Sequence, residues 1–284
     1  MTMSEMRQMG REKLRQAGID SYSLDSDVLL MAAADVDRTS LMIDGQTVLP
    51  EAVYKKYIEY LELRTKNMPV QLILGQAEFM SLDFYVNKHT LIPRPDTEIL
   101  VETVIAREKF NQRESNIGFE IGTGSGCISI SLAHYLPKLH ITAIDICPHA
   151  IDAAQINAAK HGVHNRAAFL RADIFSDFPA IPYSFIVSNP PYIPTDDIKD
   201  LAPNVRDYEP TGALDGGADG LDFYRRIAEI SRKMLAKYGR IYLEIGHDQA
   251  QDVCEILANV GFVEIKTLKD LANHDRVICA IKGE

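Results

Sequence analysis

From residue 117 to its end, the sequence repeats an order of strand, turn and helix, and this order limits the fold more than any other feature. Most of the apolar runs of strand length are followed by a stretch with helical periodicity. Such alternation is typical of a mostly parallel sheet with helices on both faces. The predicted strands are 117–121, 140–145, 167–170, 185–188, 240–245, 263–267 and 276–281. The predicted helices among them are 126–135, 148–161, 220–238 and 249–259.

The first 75 residues lack strand patterns and contain helical ones instead. We expect Ser23 or Asp25 to cap the second of these helices, because short polar side chains accept hydrogen bonds from free N–H groups at helix starts. We therefore predict a small helical domain over residues 1–75. Its predicted helices are 6–17, 25–34 and 51–66, followed by a break at 69–75.

Residues 76–93 are predicted to form a β-hairpin that links the helical domain to a second domain at 94–284. Apolar residues at 79, 82, 84 and 86 indicate extended structure, and we expect the turn near Asn87-Lys88. Two prolines then restrict the backbone ahead of a predicted helix at 96–109.

The charge balance argues against nucleic acid as a direct partner. The chain has 40 acidic and 30 basic residues, whereas binding to phosphates needs clustered Lys and Arg. The four cysteines form no CxxC pair, and His161 and His164 have no acid or thiol beside them, so we predict reduced thiols and no metal. Neither a signal-peptide core nor an apolar run of membrane-spanning length is present, which predicts a cytoplasmic protein without a membrane partner.

A glycine-rich turn follows the first of these strands and predicts a cofactor site. Three glycines within five residues let the backbone approach a ligand closely beside the start of a helix. The GxGxG spacing differs from the GxGxxG of NAD-binding loops and matches that of methyltransferases. The predicted cofactor-binding residues of this turn are Glu120, Gly122, Thr123, Gly124, Ser125 and Gly126.

Acidic residues follow the next two strands and suit an adenosine group. Asp145 ends the second strand, where its carboxylate is placed to accept hydrogen bonds from two ribose hydroxyls, with Ile146 beside it. Asp173 follows the third strand and is predicted to accept from an adenine amino group while Ile174 packs on the ring. Capping is the alternative role for each Asp. Because NAD and S-adenosylmethionine both contain adenosine, these acids do not choose between them.

The segment Asn189-Pro190-Pro191-Tyr192 follows the fourth strand, and it indicates the chemistry. Ligands of open parallel sheets bind beyond the carboxyl ends of the strands. There the Asn189 side-chain oxygen and the Pro190 carbonyl can each accept one N–H of a planar amide, whose lone pair then points at a methyl donor. Pro190 and Pro191 restrict the backbone, and Tyr192 offers a flat face to the substrate. We predict catalysis by Asn189, Pro190 and Tyr192, and substrate binding by the whole segment 189–192, including Pro191, with Asn189 also touching the cofactor.

Over essentially its whole length, the sequence resembles the release-factor glutamine N5-methyltransferase family (HemK/PrmC). NPPY alone is shared with adenine and other amide methyltransferases, but its combination with IPRPDTE at 92–98 and with Glu209-Pro210 and Ala213-Leu214 is more specific. Asp96, Met80-Ser81 and Asn273-His274 depart from the usual family residues. Further matching segments are 69–75, 120–126, 188–194, 216–217, 219–221, 269–272 and 275–276.

The resemblance implies S-adenosylmethionine as methyl donor, S-adenosylhomocysteine as product, and the glutamine of the Gly-Gly-Gln motif in class I peptide chain release factors as substrate. It also implies a Rossmann-like class I methyltransferase domain, preceded by a helical domain that helps to dock the protein substrate. A ribosomal-protein glutamine stays open as an alternative substrate. The acidic charge argues against an N6-adenine nucleic-acid methyltransferase, and the intact Asn189 and Tyr192 argue against a non-catalytic adenosine-binding module.

Overall fold

The computed structural model describes residues 1–109, 116–176 and 181–284, which divide into two compact units. The helical unit consists of Met1–Gln76 together with Ala202–Tyr208, and the sheet unit consists of Ala77–Leu201 and Glu209–Glu284. Within the helical unit, the Tyr208 hydroxyl donates to the Lys66 carbonyl at 2.5 Å. This return of a late segment to the helical unit has no signal in the sequence.

The described residues form eleven helices, nine strands and two 3₁₀ turns. The helices are α1 Met3–Gln16, α2 Tyr22–Ala34, α3 Arg38–Ile43, α4 Glu51–Arg64, α5 Val70–Leu74, α6 Pro95–Glu108, α7 Cys127–Tyr135, α8 Pro148–Lys160, α9 Pro203–Arg206, α10 Asp222–Met234 and α11 Ala250–Asn259. The strands are β1 Gln76–Phe79, β2 Leu82–Tyr85, β3 Asn116–Ile121, β4 Leu139–Asp145, β5 Ala167–Arg171, β6 Tyr183–Ser188, β7 Leu235–Glu244, β8 Phe262–Lys269 and β9 Asp275–Lys282. The 3₁₀ turns are Thr195–Asp200 and Thr211–Ala213.

The capping residue predicted for α2 is wrong. The helix begins at Tyr22, so Ser23 and Asp25 both lie inside it. The Asp25 carboxylate instead accepts hydrogen bonds from the Ser21 hydroxyl at 2.6 Å and from Arg64 Nε at 2.7 Å. A long-range ion pair with α4 thus takes the carboxylate that local pattern assigned to the helix start.

The break predicted after α4 is also wrong, since α5 forms there. Pro69 is compatible with the start of a helix because its fixed φ suits the turn that precedes the first helical residue. Gly75 then ends the helix with a φ of 68°, in the left-handed region that glycine adopts at little cost.

The helical unit packs α1, α2 and α4 around one apolar core, which includes the fully buried Tyr57. The Tyr57 hydroxyl shares a hydrogen bond of 2.7 Å with the Ser26 hydroxyl. Gly10 of α1 lies against this pair, and a Cβ added there would stand 1.8 Å from the Tyr57 hydroxyl oxygen. The close approach of α1 therefore depends on the missing side chain.

Gly10→Ala is expected to destabilise the helical unit by about 1–3 kcal/mol, because an added methyl group in a packed core forces its neighbours apart. Thermal unfolding followed by circular dichroism measures the effect. Gly45→Ala is the matched control, since its new Cβ would lie 3.5 Å from the nearest atom, an ordinary contact. Equal unfolding temperatures for the two variants would contradict the close packing of α1 on Tyr57.

The sheet unit contains a seven-stranded sheet in the order β5-β4-β3-β6-β7-β9-β8. All neighbours are parallel except β9, which runs antiparallel to both β7 and β8. The predicted mostly parallel, seven-stranded sheet is confirmed. The strand order reverses between β3 and β6, and ligands of such sheets bind at this reversal, beyond the carboxyl ends of the strands.

Helices cover both faces of the sheet and bury two apolar cores. One core includes residues of α6, α7 and α8, among them the fully buried Leu100 and Ile130. The other includes residues of α10 and α11, among them Tyr224 and Leu257. Since both faces are buried, the strands can present functional groups only at their ends.

The helix predicted at 220–238 is too long at both ends. α10 begins at Asp222 and ends at Met234, and β7 follows at once. Leu235 pairs with Tyr183 of β6, and Tyr238 has a φ of 59°, outside the helical region. Pairing with a distant strand therefore overrides a locally helical pattern.

The predicted hairpin exists, but its turn is at Met80-Ser81 and the prediction of Asn87-Lys88 is wrong. Both turn residues have positive φ, 51° and 57°, as a tight hairpin turn requires. Neither residue type favours that backbone, so no sequence signal marks it. Contacts fix the turn instead: Glu98 accepts from the Met80 N–H at 2.6 Å, and the Tyr135 hydroxyl donates to the Met80 carbonyl at 2.8 Å.

Candidate active site

A cavity of about 330 Å³ opens beyond the carboxyl ends of β3, β4 and β6. Residues from several of the predicted segments line this cavity, together with residues that were not predicted. Its walls are mainly apolar, with two carboxylates, one imidazole and one amide among them, as is usual for small-molecule sites. The lining residues are His89, Leu91, Ile121, Gly122, Gly124, Ile144, Asp145, Ile146, Cys147, Ala172, Asp173, Ile174, Phe175, Asn189, Pro190, Pro191, Pro210, Gly212, Ala213 and Phe223.

The glycine turn divides into residues that line the cavity and one that supports the turn. Gly122 and Gly124 line it with positive φ of 74° and 55°, and a Cβ on Gly124 would meet nothing within 4 Å. Gly126 faces inward, because a Cβ there would lie 2.8 Å from Ile130 Cδ1 and 3.1 Å from Ala154 Cβ. The first two glycines therefore leave backbone open to a ligand, and the third permits close packing of α7 and α8.

The remaining predicted residues of the turn, Glu120, Thr123 and Ser125, are buried and do not line the cavity. The Glu120 carboxylate accepts hydrogen bonds from the Thr123 hydroxyl at 2.7 Å and from the Ser129 hydroxyl. Burial raises the pKa of Glu120 to about 7, and its Oε1 has no hydrogen-bond partner among the described residues. These buried contacts therefore stabilise the glycine turn.

Asp145 ends β4 and lines the cavity, as does the exposed Ile146 beside it. The Asp145 carboxylate accepts from the backbone N–H groups of Gly124 and Cys147, each at 2.9 Å. Burial raises the pKa of Asp145. Each oxygen of a carboxylate has a second lone pair, so both oxygens can still accept hydrogen bonds from a ligand.

Asp173 and Ile174 follow β5, and both line the cavity. Asp173 also accepts from the Phe175 N–H at 2.9 Å, so it caps a turn as well as facing the cavity. Sequence reasoning missed Phe175 and Phe223, which line the cavity with their rings packed edge to face at 5.4 Å. The aromatic residue directly after Asp-Ile was the available signal.

Asn189, Pro190 and Pro191 line the cavity where β6 ends. Asn189 Nδ2 donates to Thr97 Oγ1 at 3.1 Å. Tyr192 does not line the cavity; it packs beside the core that α10 and α11 cover, and burial raises its pKa. The predicted clamp residues are therefore adjacent to the cavity, while stacking by Tyr192 stays a prediction.

A set of buried ionic groups lies behind Asn189, and sequence reasoning missed it. Glu244 ends β7 and is 2% exposed, and burial raises its pKa to about 7 although hydrogen bonds from Thr97 and Asn189 oppose the rise. Arg276 of β9 lies near Glu244 and contacts Asp270 at 3.1 Å and Asp96 at 3.5 Å. The signal would have been an acidic and a basic residue on neighbouring strands, which can be recognised only when the order of the strands in the sheet is known.

Two of the matching sequence segments meet beside the cavity. The Glu209 side chain is fully buried and accepts from the Ile92 N–H at 3.2 Å and from the Arg94 guanidinium. Leu91 precedes the first segment and Pro210 belongs to the second, and both line the cavity. The ion pair thus joins the IPRPDTE segment to the wall that carries Pro210.

Comparison with protein families accounts for both parts of the chain. Residues 5–75 match the PrmC N-terminal domain, and residues 95–203 match the methyltransferase small domain. The release factor glutamine methyltransferase of Clostridium acetobutylicum is 41% identical over 272 residues, which cover 95% of this chain and 95% of that protein. This chain belongs to the release factor glutamine methyltransferase family. Its membership confirms the resemblance recognised from the motifs.

A second relative agrees with this membership, and one solved structure supports the fold. The release factor glutamine methyltransferase of Caulobacter vibrioides is 36% identical over 283 residues, covering 100% of this chain and 97% of that protein. A methyltransferase from Pyrococcus furiosus superposes with a TM-score of 0.55 at 18% identity, covering 72% of this chain and 91% of that one. At this identity the likeness supports the fold alone, which is the α/β methyltransferase fold predicted from the sequence.

Among the described residues, no helix is long and apolar enough to cross a membrane. Within the same residues, no group of three or more His, Cys, Asp or Glu side chains is arranged to hold a metal ion. His161 instead hydrogen-bonds the Asp83 carbonyl at 2.9 Å and packs on Phe84, so it holds the hairpin.

Proposed function

We propose that this enzyme transfers a methyl group from S-adenosylmethionine to the side-chain amide nitrogen of the glutamine in the Gly-Gly-Gln motif of class I peptide chain release factors. The observation that carries the proposal is the position of Asn189. Its amide lies at the cavity beyond β6, with Nδ2 bonded to Thr97, which directs Oδ1 away from that bond. An amide oxygen in such a place can accept an N–H from a planar substrate group.

The cavity fits the adenosine end of the cofactor. The open backbone at Gly122 and Gly124 allows close approach, Asp145 offers acceptors for ribose hydroxyls, and Ile174 offers an apolar surface for adenine. When bound, S-adenosylmethionine supplies an electrophilic methyl group on a sulfonium sulfur and departs as S-adenosylhomocysteine. Glu120 acts indirectly in this proposal, by holding the turn that carries these glycines.

The chain contributes positioning rather than acid–base chemistry to the transfer. Asn189 Oδ1 accepts one N–H of the substrate amide and the Pro190 carbonyl accepts the other, so the nitrogen lone pair is held toward the methyl group. These fixed acceptors also stabilise the positive charge that grows on the nitrogen. The two prolines stiffen the backbone that carries the acceptors. The methylated nitrogen, now acidic, loses its extra proton to water.

The helical unit is proposed to supply a second contact surface for the protein substrate. It matches the PrmC N-terminal domain over residues 5–75, and the predicted catalytic groups all belong to the sheet unit. Engagement at two points raises affinity through effective concentration without new chemistry.

Transfer of labelled methyl from S-adenosylmethionine tests the proposed substrate. Purified class I release factor, ribosomal proteins and DNA are offered in parallel, and label is expected on the release-factor glutamine. A release factor with Gly-Gly-Glu in place of Gly-Gly-Gln is the matched control and should stay unlabelled. Label on a ribosomal protein or on adenine, with none on the release factor, would replace the proposed substrate.

Asp145→Ala is expected to weaken binding of S-adenosylhomocysteine by about 1–3 kcal/mol, because the ribose hydroxyls and two backbone N–H groups lose a charged acceptor. Isothermal titration calorimetry measures the change. Asp252→Ala, which removes an exposed carboxylate in the first turn of α11, controls for net charge and should bind normally. An unchanged affinity for Asp145→Ala would remove this residue from the site.

A further inference from the structure

The proposed clamp works only if Asn189 presents its oxygen to the substrate. The two ends of a carboxamide have the same shape but opposite hydrogen-bonding character. A half-turn of the Asn189 amide would present NH₂ to the substrate N–H groups, and no hydrogen bond could form. Something behind Asn189 must therefore hold the amide in one orientation.

The groups behind Asn189 form a chain of three side chains within the sheet unit. Asn189 Nδ2 donates to Thr97 Oγ1 at 3.1 Å, and Thr97 is 3% exposed. The side chains of Thr97 and Asn189 both lie close enough to the Glu244 carboxyl to oppose the rise of its pKa, Thr97 more strongly, and Glu244 is 2% exposed. Three elements meet here, because Thr97 lies in α6, Asn189 follows β6 and Glu244 ends β7.

We propose that Glu244 is a positioning residue, which acts mainly through Thr97, and also by its own weaker interaction with Asn189, to hold the Asn189 amide with its oxygen toward the substrate. A carboxylate can only accept hydrogen bonds. The Thr97 hydroxyl must then donate its single proton to Glu244, so its oxygen can only accept. An acceptor facing Asn189 requires the NH₂ end, and the amide oxygen is left for the substrate. This inference rests on the proposed function and extends it to a residue that does not line the cavity.

The direction of the chain depends on the charge of Glu244. Burial raises the pKa of Glu244 to about 7, with Asp96 adding to the rise and Arg276 opposing it. Protonated Glu244 can donate a hydrogen bond as well as accept one, so it does not fix the direction of the Thr97 hydroxyl. Thr97 can then donate to the Asn189 oxygen when the Asn189 amide is turned round. The titratable side chains facing Glu244 are Arg276 from β9, Asp96 from α6, Tyr192 after β6, Tyr224 from α10 and Cys127 from α7.

The sign of the pH dependence follows from the active form being charged. Methyl transfer should be maximal above pH 7 and should fall by about tenfold in all as the pH drops through 7, down to the rate of the protonated form. The experiment is single-turnover methylation of the release factor from pH 5.5 to 8.5, at saturating cofactor and substrate. Glu244→Gln should lower the plateau roughly tenfold and flatten the profile, because a glutamine both donates and accepts and cannot enforce one direction.

Thr97 variants test the chain itself. Thr97→Ser keeps the hydroxyl and should keep the wild-type pH profile, whereas Thr97→Val keeps the shape and should be nearly as slow as Glu244→Gln, with a weaker pH dependence than the wild type. The double variant Glu244→Gln with Thr97→Val should be no slower than Glu244→Gln alone, since both substitutions break the same chain. Binding of S-adenosylhomocysteine should stay within about twofold in all of them, which shows that the site is folded.

A wild-type rate and profile in Glu244→Gln, or equal losses in Thr97→Ser and Thr97→Val, would overturn the inference. Failure of the wild type to methylate a release factor at any pH would instead contradict the proposed function.

Discussion

Asn189→Ala is expected to slow methyl transfer by about 10²–10³-fold, comparable to the loss of one preorganised hydrogen-bonding group in other active sites. The substitution removes the proposed acceptor for one substrate N–H, while the Pro190 carbonyl remains. Single-turnover methylation at saturating cofactor and substrate measures the effect. Cofactor affinity should change less than the rate, because Asp145 and the glycine turn line the adenosine side of the cavity.

Asn189→Asp sharpens this test, since aspartate keeps the shape and the acceptors but adds charge. That charge attracts the positive sulfonium before the reaction as well as during it, so cofactor affinity can rise while the rate falls. Asn259→Ala, at the exposed end of α11, is the control for loss of an asparagine and should react normally. A near-normal rate for Asn189→Ala would show that this clamp is not the source of catalysis.

Glu209→Ala is expected to destabilise the sheet unit by about 2–4 kcal/mol and to lower its unfolding temperature by about 5–15 °C. The Glu209 carboxylate is fully buried, and its loss strands the Ile92 N–H and the Arg94 guanidinium. Since Leu91 and Pro210 line the cavity on either side of this pair, cofactor affinity should fall as well. Differential scanning calorimetry and titration with S-adenosylhomocysteine measure the two effects.

The matched control for Glu209 is an ion pair of the same type on the surface. Glu51 pairs with Lys55 at 2.8 Å, but its side chain is 78% exposed, and such pairs contribute within about 1 kcal/mol. Glu51→Ala should therefore unfold close to the wild type. If both variants unfolded at the same temperature, the pair between Arg94 and Glu209 would have no special role in joining its two segments.

Much of the candidate site was predictable because its residues follow strands directly in the chain. Each predicted strand overlaps an observed one, and the glycine turn, Asp145 and Asn189 each come where a strand ends. Hydrophobic periodicity and turn residues are local properties, so they mark such positions without knowledge of the partner strands. Phe175 directly follows Ile174 in the chain, so the same local reasoning could have included it in the predicted site.

The missed features depend on contacts between distant residues. The boundary between α10 and β7 is decided by pairing with β6, and the hairpin turn at Met80-Ser81 is held by Glu98 and Tyr135. Neither contact leaves a trace in the local pattern. Tertiary interactions override local propensity at such points because they bury more surface than the local alternative.

By itself, the sequence determined the order of helices and strands, the family, and part of the cavity lining, including Asp145, Asp173 and Asn189. Only the tertiary structure decided how Asn189 is held, because Thr97 is 92 residues away in the chain and Glu244 belongs to another strand. The orientation of an amide depends on which donors and acceptors are packed behind it, and that packing exists only once α6, β6 and β7 are assembled.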